Sequence, residues 1–157
     1  MDYYNKIAKG YNELHGQEQL DKIRLVLKEI SARERESKIL DIGCGTAIYS
    51  SLFKNYTGID PSKGMLSQSK AKVIQGNAEN LPFPDKSFDI VISITAIHNF
   101  KDVKKSLSEM HRVAKNKIII TLLKKSTKFN EILKELKDFK RIDQEIDLIL
   151  IKNLKQI

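Results

Sequence analysis

Five short apolar runs recur along this chain: KILDIGC (38–44), YTGID (56–60), KVIQGN (72–77), FDIVISI (88–94) and KIIITLL (117–123). Each is rich in β-branched side chains and lacks a steady polar alternation, the pattern of strands covered on both faces. Helical stripes lie before and between them. Leu20, Ile23, Leu27 and Ile30 share one face of EQLDKIRLVLKEI, Val103, Leu107 and Met110 one face of KDVKKSLSEMHRV, and Phe129, Ile132, Leu133 and Leu136 one face of STKFNEILKELKDF. Strand and helix alternating at this pitch is the pattern of βαβ units, so the predicted fold class is α/β, a doubly wound and mostly parallel sheet. The tail FKRIDQEIDLILIKN holds two more strand-like pieces with too few residues between them for a crossover helix. They must join as a hairpin, which brings the sheet to seven strands and makes the last antiparallel.

A chain of 157 residues with 41% hydrophobic side chains can bury a core of its own, and no Gly-, Ser- or Pro-rich linker divides it. We expect one domain over 1–157, in which 1–35 is an N-terminal helical segment. No run near the start resembles a signal peptide, and the longest aliphatic stretch is far short of a membrane span. The expectation is a cytoplasmic protein without membrane contact. The single cysteine, Cys44, excludes an internal disulfide framework, and no Cys/His cluster has metal-binding spacing. The net charge of +8 is uneven: residues 1–100 carry +1 and residues 101–157 carry +7. Such a basic half either meets phosphates or forms a solvated lysine surface, and its interleaved Glu and Asp favour the second reading.

The first run breaks in an informative way, as ILDIGCGTAIYS (39–50). Ligands of open parallel sheets bind beyond the carboxyl ends of the strands, where the strand order reverses. Gly43 and Gly45 stand at that end, where a missing Cβ lets the chain bend sharply and lets a ligand lie against the backbone. Asp60 closes the second run 19 residues after Asp41, where a carboxylate can accept both hydroxyl protons of a ribose. Together they imply a nucleoside-containing ligand. GCGTAI lacks the final glycine of G-x-G-x-x-G, and an acidic Asp41 at the strand end suits a cationic ligand better than a pyrophosphate.

With LDIGCGTA, GIDPS, GNAENLPFPDKSFDIVISITAIHNF and EMHRV in order over residues 39–123, the chain resembles the class I S-adenosylmethionine-dependent methyltransferases, in particular the ubiquinone/menaquinone-type branch. The resemblance implies a Rossmann-like methyltransferase fold and S-adenosyl-L-methionine as cofactor. It implies that Asp41, Gly43 and Gly45 line the methionine part, with Cys44 between the glycines counted among the cofactor-binding residues; its thiol is expected to be inert, a small residue in a tight turn with nothing nearby that looks like a base. Asp60 would hold the ribose, bordered by Pro61 and Ser62, Asn77 and Ala78 would flank the adenine, and Ser93 to Thr95 would border the methyl-transfer site. Three positions depart from the family pattern: Ala47 for the third glycine, Asn77 for an aspartate, and AKNK (114–117) for a Pro-Gly-Gly turn, with Asn116 as its left-handed residue.

Methyl transfer from a sulfonium asks mainly for proximity and orientation, so catalytic groups can be few. His98, just past the fourth strand, is the candidate for proton handling, with pocket shaping or helix capping as its other reading. His111 reads as structural. The aromatics of DYYNKIAKGYNELHG, Tyr3, Tyr4 and Tyr11 with His15, are candidates for a small lid over the cofactor, and plain helix packing is the alternative. Only a few residues separate the fifth strand from the next helix, so the site is expected to be open and poor in lids. The acceptor is then a small molecule, with a homodimer or protein partner completing the site, or tRNA, since TAIHNF and EMHRV also resemble the tRNA wobble-uridine methyltransferases. A non-catalytic cofactor-binding module, or the partner subunit of a larger methyltransferase, is the alternative function.

Overall fold

The computed structural model describes residues 2–154, except the side chain of Asp2. Seven strands form one sheet: β1 (Lys38–Ile42), β2 (Asn55–Asp60), β3 (Val73–Gln75), β4 (Phe88–Ile94), β5 (Ala114–Leu123), β6 (Lys140–Asp143) and β7 (Asp147–Asn153). Their spatial order is β3-β2-β1-β4-β5-β7-β6. Every neighbouring pair from β3 to β5 is parallel, whereas β7 runs antiparallel to both β5 and β6. The doubly wound sheet and its terminal hairpin are thus as the sequence led us to expect.

Three helices of two turns or more cover the two faces. Helix α2 (Tyr11–Leu27) follows the short α1 (Asp2–Ile7) and lays Ile23, Val26 and Leu27 on Ile39, Ile92, Ile119 and Ile149. On the other face α4 (Val103–Val113) and α5 (Phe129–Glu135) bring Leu107, Met110, Val113 and Ile132 against Leu40, Val91, Ile118 and Leu150. Each such aliphatic side chain, fully buried, contributes about 1.5–3 kcal/mol. Strands covered on both faces have no polar side to alternate, which is why the runs read as continuously apolar.

Cover is thinner at the β3 edge. The chain between β1 and β2 makes only a 3-10 turn (Ser50–Leu52), and α3 (Lys63–Leu66) is a single turn capped by Ser62, whose hydroxyl accepts from the Met65 amide at 3.2 Å. The loop between β3 and β4 is held instead by α4. Arg112 donates to the carbonyls of Leu81 (3.0 Å) and Phe83 (2.7 Å) and to the Asp85 carboxylate, and Glu109 accepts from the Leu81 amide at 2.8 Å. EMHRV therefore serves as the clamp of that loop, and His111 turns its Nδ1 to the Leu107 carbonyl at 2.7 Å. One expectation is corrected here: residues 114–117 are not a turn. Helix α4 passes straight into β5 at Ala114, and Asn116 is not among the residues with positive φ, because a strand pairing with β4 on one side and β7 on the other needs extended backbone there.

Candidate active site

The strand order reverses between β1 and β4, and their carboxyl ends open a cleft there. The loop after β1 bends through Gly43 (φ +76°), Gly45 (φ +57°) and Ala47 (φ +52°), all left-handed. A Cβ on Gly43 would stand 2.5 Å from that of Ala96, so only glycine fits. Ala47 occupies the left-handed region despite its methyl, a conformation that costs a non-glycine residue about 1–2 kcal/mol. The amides of Gly43 and Cys44 both donate to the Ile59 carbonyl, which ties the loop to β2.

Asp60, the last residue of β2, points into this bend. One carboxylate oxygen accepts from the Gly45 amide at 2.9 Å and the other from the Ser62 amide at 2.8 Å. Burial raises its pKa above the ordinary carboxylate value, and these two amides oppose the rise. A cavity of about 240 Å³ lies beside it, on whose wall stand Gly43, Cys44, Gly45, Asp60, Pro61 and Tyr11. A smaller cavity of about 60 Å³ adjoins it, sharing Gly43, Pro61 and Phe100 and adding Asn77 and Ala78. These eight sequence-selected residues thus come together on two connected hollows.

Two others do not reach them. Asp41 is fully buried under the loop, where the hydroxyls of Tyr49 (2.8 Å) and Tyr56 (2.5 Å) both donate to its Oδ2. It supports the bend from below instead of lining the methionine end. Ser93 is also buried, its hydroxyl donating to the Ile42 carbonyl at 2.9 Å, so it staples β4 to β1. Residues in mid-strand alternate between the two faces of the sheet, and only the strand's last positions reach the cleft. His98 lies in a 3-10 turn (Ile97–Asn99) and is not on the wall of the larger cavity. Burial, then the cations Lys22 and Lys128, lower its pKa, and Asp147 opposes them. Cys44 is buried against Gly58, and desolvation holds its thiol well above the usual value, as befits an inert residue.

The expected open mouth needs correction as well. Helices α1 and α2 lie over the larger cavity, with Tyr4 and Tyr11 on its wall. Asn5 fastens α1 to the turn after β2, its Oδ1 accepting from the Ser62 hydroxyl (2.7 Å) and the Gly64 amide (2.9 Å). Asn99 donates to the Tyr4 hydroxyl at 2.8 Å, and Thr46 donates to the Asn12 side chain at 2.6 Å. Tyr3 is 60% exposed, so it is not part of this roof, and His15 packs against Tyr11 with ring centroids 5.2 Å apart and planes tilted by 46°. The stretch between β5 and α5 and the turn between β6 and β7 are as short as expected.

The sequence reading did not single out Thr95 by itself, nor Lys22. Thr95 has φ +49°, rare for a β-branched residue, and lies on the wall of the larger cavity. Its amide donates to the Thr121 hydroxyl at 2.7 Å, and its own hydroxyl accepts from Lys22 Nζ at 3.1 Å. Lys22 is 6% exposed and pairs with Glu18 (3.0 Å) and Asp147 (3.4 Å). A lysine on an apolar helical face was the one available signal. Among the described residues no group of three or more His, Cys, Asp or Glu side chains comes together as metal ligands, and no helix is long and apolar enough to cross a membrane.

Comparison with known proteins places this geometry. A family model described as a methyltransferase domain matches residues 40–121. The chain is 38% identical over 121 residues to an uncharacterized protein of Methanocaldococcus jannaschii, covering 73% of this chain and 47% of that one. It is 32% identical over 147 residues to the demethylmenaquinone methyltransferase of Thermotoga maritima, covering 82% of this chain and 63% of the relative. The chain therefore spans about half to two thirds of the length of these curated relatives. A structure from Methanococcus maripaludis, described as a putative S-adenosyl-L-methionine-dependent methyltransferase, superposes with a TM-score of 0.72 over 98% of this chain and 95% of the other, at 17% identity, which shows the shared fold. A glycine bend that only a bare backbone can make, with a carboxylate poised over it, fits an adenosyl ligand, and on that geometry together with the matched family model the chain belongs to the class I methyltransferases, whose cofactor is S-adenosyl-L-methionine.

Proposed function

We propose that this protein transfers a methyl group from S-adenosyl-L-methionine to a small-molecule acceptor. The observation that carries the reading is the aim of Asp60 at the glycine bend, with each carboxylate oxygen already oriented by one backbone amide. Each oxygen keeps a lone pair for a ribose hydroxyl, and amide-bound carboxylates make strong charge-assisted bonds. Gly43 and Gly45 admit the methionine part against bare backbone, Asn77 and Ala78 border the adenine in the smaller hollow, and Pro61 closes the edge between them. Tyr4 and Tyr11 cover the cleft. Burial pushes the Tyr11 hydroxyl up to about 12, so it stays neutral and adds no charge near a cationic ligand's counter-ion.

When bound, the cofactor supplies an electrophilic methyl on a sulfonium. The chain's own contribution is then to exclude water, hold the adenosyl group and present an acceptor in line, a gain from proximity and orientation. Thr95, strained at the end of β4, stands at the boundary where the acceptor would arrive. His98 is not needed for that step, and we assign it to the polar surroundings of Lys22 and Asp147.

Calorimetry with S-adenosylhomocysteine tests the reading. Replacing Asp60→Ala removes two charge-assisted bonds to the ligand and should weaken binding by about 100-fold or more. Affinity unchanged by that substitution, or no binding by the unsubstituted protein at millimolar ligand, rejects it.

A further inference from the structure

A second, larger hollow of about 550 Å³ lies on the far side of Thr95. Its floor includes Lys22 and Thr121, the two residues that hydrogen-bond Thr95, so one residue separates it from the cofactor cleft. Four carboxylates stand on its wall, Glu18, Asp21, Glu145 and Asp147, against the single ammonium of Lys22. In a chain of net charge +8 this is a local reversal of sign. Leu25, Ile146 and Ile149 supply apolar surface beside them, and Ile146 is 50% exposed at the hairpin turn.

The charges are not all neutralised within the protein. Lys22 engages one oxygen of Glu18 and Oδ2 of Asp147, and Asp21 is turned to Arg24 and Gln17 on the exposed helix face. Lys124 is occupied by Asp143 and the Gln144 carbonyl behind the turn. Asp147 is 5% exposed, and its Oδ1 has no hydrogen-bond partner. A buried carboxylate oxygen left unpaired costs free energy that a cation would recover.

We propose that this hollow is the acceptor site and that it takes a small organic cation, an amine entering as its ammonium with an apolar portion against Leu25 and Ile149. Glu18 and Glu145 draw the ammonium in beside Asp147, and Lys22 holds Asp147 and Thr95 in register; the ammonium then gives one proton to a carboxylate of the hollow, and the freed amine lone pair forms the N–CH3 bond as the S–CH3 bond breaks and S-adenosylhomocysteine leaves. The inference rests on the proposed methyl transfer for its name as an acceptor site, but cation binding there is independent of the cofactor. An anionic or phosphate-bearing acceptor would face the wrong sign at this mouth.

The probes are 2-phenylethylammonium, 2-phenylethanol and phenylacetate, titrated into the full chain by calorimetry with and without S-adenosylhomocysteine. The ammonium should bind about 10-fold tighter than the alcohol, and the carboxylate more weakly still. Asp147→Asn should weaken the ammonium by about 10-fold or more, since it removes a buried charge. Because Asp147→Asn also unpairs Lys22, Glu18→Gln on the half-exposed helix face is the second variant, with an expected loss of about two- to five-fold. Equal binding of the three probes, or ammonium affinity unmoved by both variants, overturns the proposal. Loss of S-adenosylhomocysteine binding with the ammonium preference intact would instead sink the methyl-transfer reading and leave the cation site standing.

Discussion

Asp41 is the residue whose role changed most between sequence and structure. At the sequence level it is the acid before the glycines. In the fold it is a carboxylate with no solvent contact, whose pKa burial pushes up to about 7, opposed by the hydroxyls of Tyr56 and Tyr49. The sign of the consequence follows from linkage. A folded pKa above the unfolded value near 4 means that the native state binds the extra proton, so the stabilisation is complete below pH 4 and is lost as pH rises through 7. Asp41→Asn keeps the hydrogen-bond acceptor and removes the titration. Urea denaturation between pH 5 and pH 8 should show the unsubstituted protein losing about 1–3 kcal/mol more than the variant over that range. A common pH dependence for both would remove Asp41 as the titrating group. The residue type was legible, but its burial was not, because the tyrosines that bond it stand at positions 49 and 56 and only the fold brings them over β1.

At the scale of elements, the N-terminal helices were legible as helices and illegible as a roof. Periodicity finds Ile23 and Leu27 on a buried stripe, yet nothing local tells that Asn5 reaches the Ser62 hydroxyl and the Gly64 amide across 57 and 59 positions. Asn5→Ala removes both bonds, at about 1 kcal/mol each. Amide exchange in α1 should then speed up while that of β1, β4 and β5 stays unchanged, since a short helix held by few contacts opens separately from the sheet. Tyr11→Ala should cost about 1–2 kcal/mol of S-adenosylhomocysteine binding through lost apolar cover. Calorimetry showing the same affinity would return α1 and α2 to the role of packing alone.

Across the whole molecule, five cations of the basic half are held by carboxylates among the described residues. Arg112 is committed to Glu109 and Asp85, Lys117 to Glu34, Lys124 to Asp143, Lys152 to Asp138 and Lys104 to Glu135. Exposed pairs of this kind add little stability, about 0–1 kcal/mol each, but they do occupy the cations. Filter retention of bulk tRNA should therefore fall to background by about 0.15 M salt, where surface charges more than about 8 Å apart are screened. Retention that persists above that salt would restore a nucleic-acid acceptor.

The order of strands and helices, the hairpin ending, the glycine bend and the carboxylate closing β2 were all determined by the sequence by itself. Each depends on properties a residue carries wherever it is placed: β-branching, periodicity, a missing Cβ, the length of a connection. The tertiary structure alone decided that Asp41 and Ser93 are buried beneath the cleft instead of standing on its wall, that α1 and α2 cover it, and that Lys22, Thr95, Thr121 and Asp147 meet. Those four come from α2, the end of β4, β5 and the start of β7, and only sheet order and register bring them within hydrogen-bonding reach. Contacts between positions so far apart in the chain have no local signature, because they are set by the packing of whole layers.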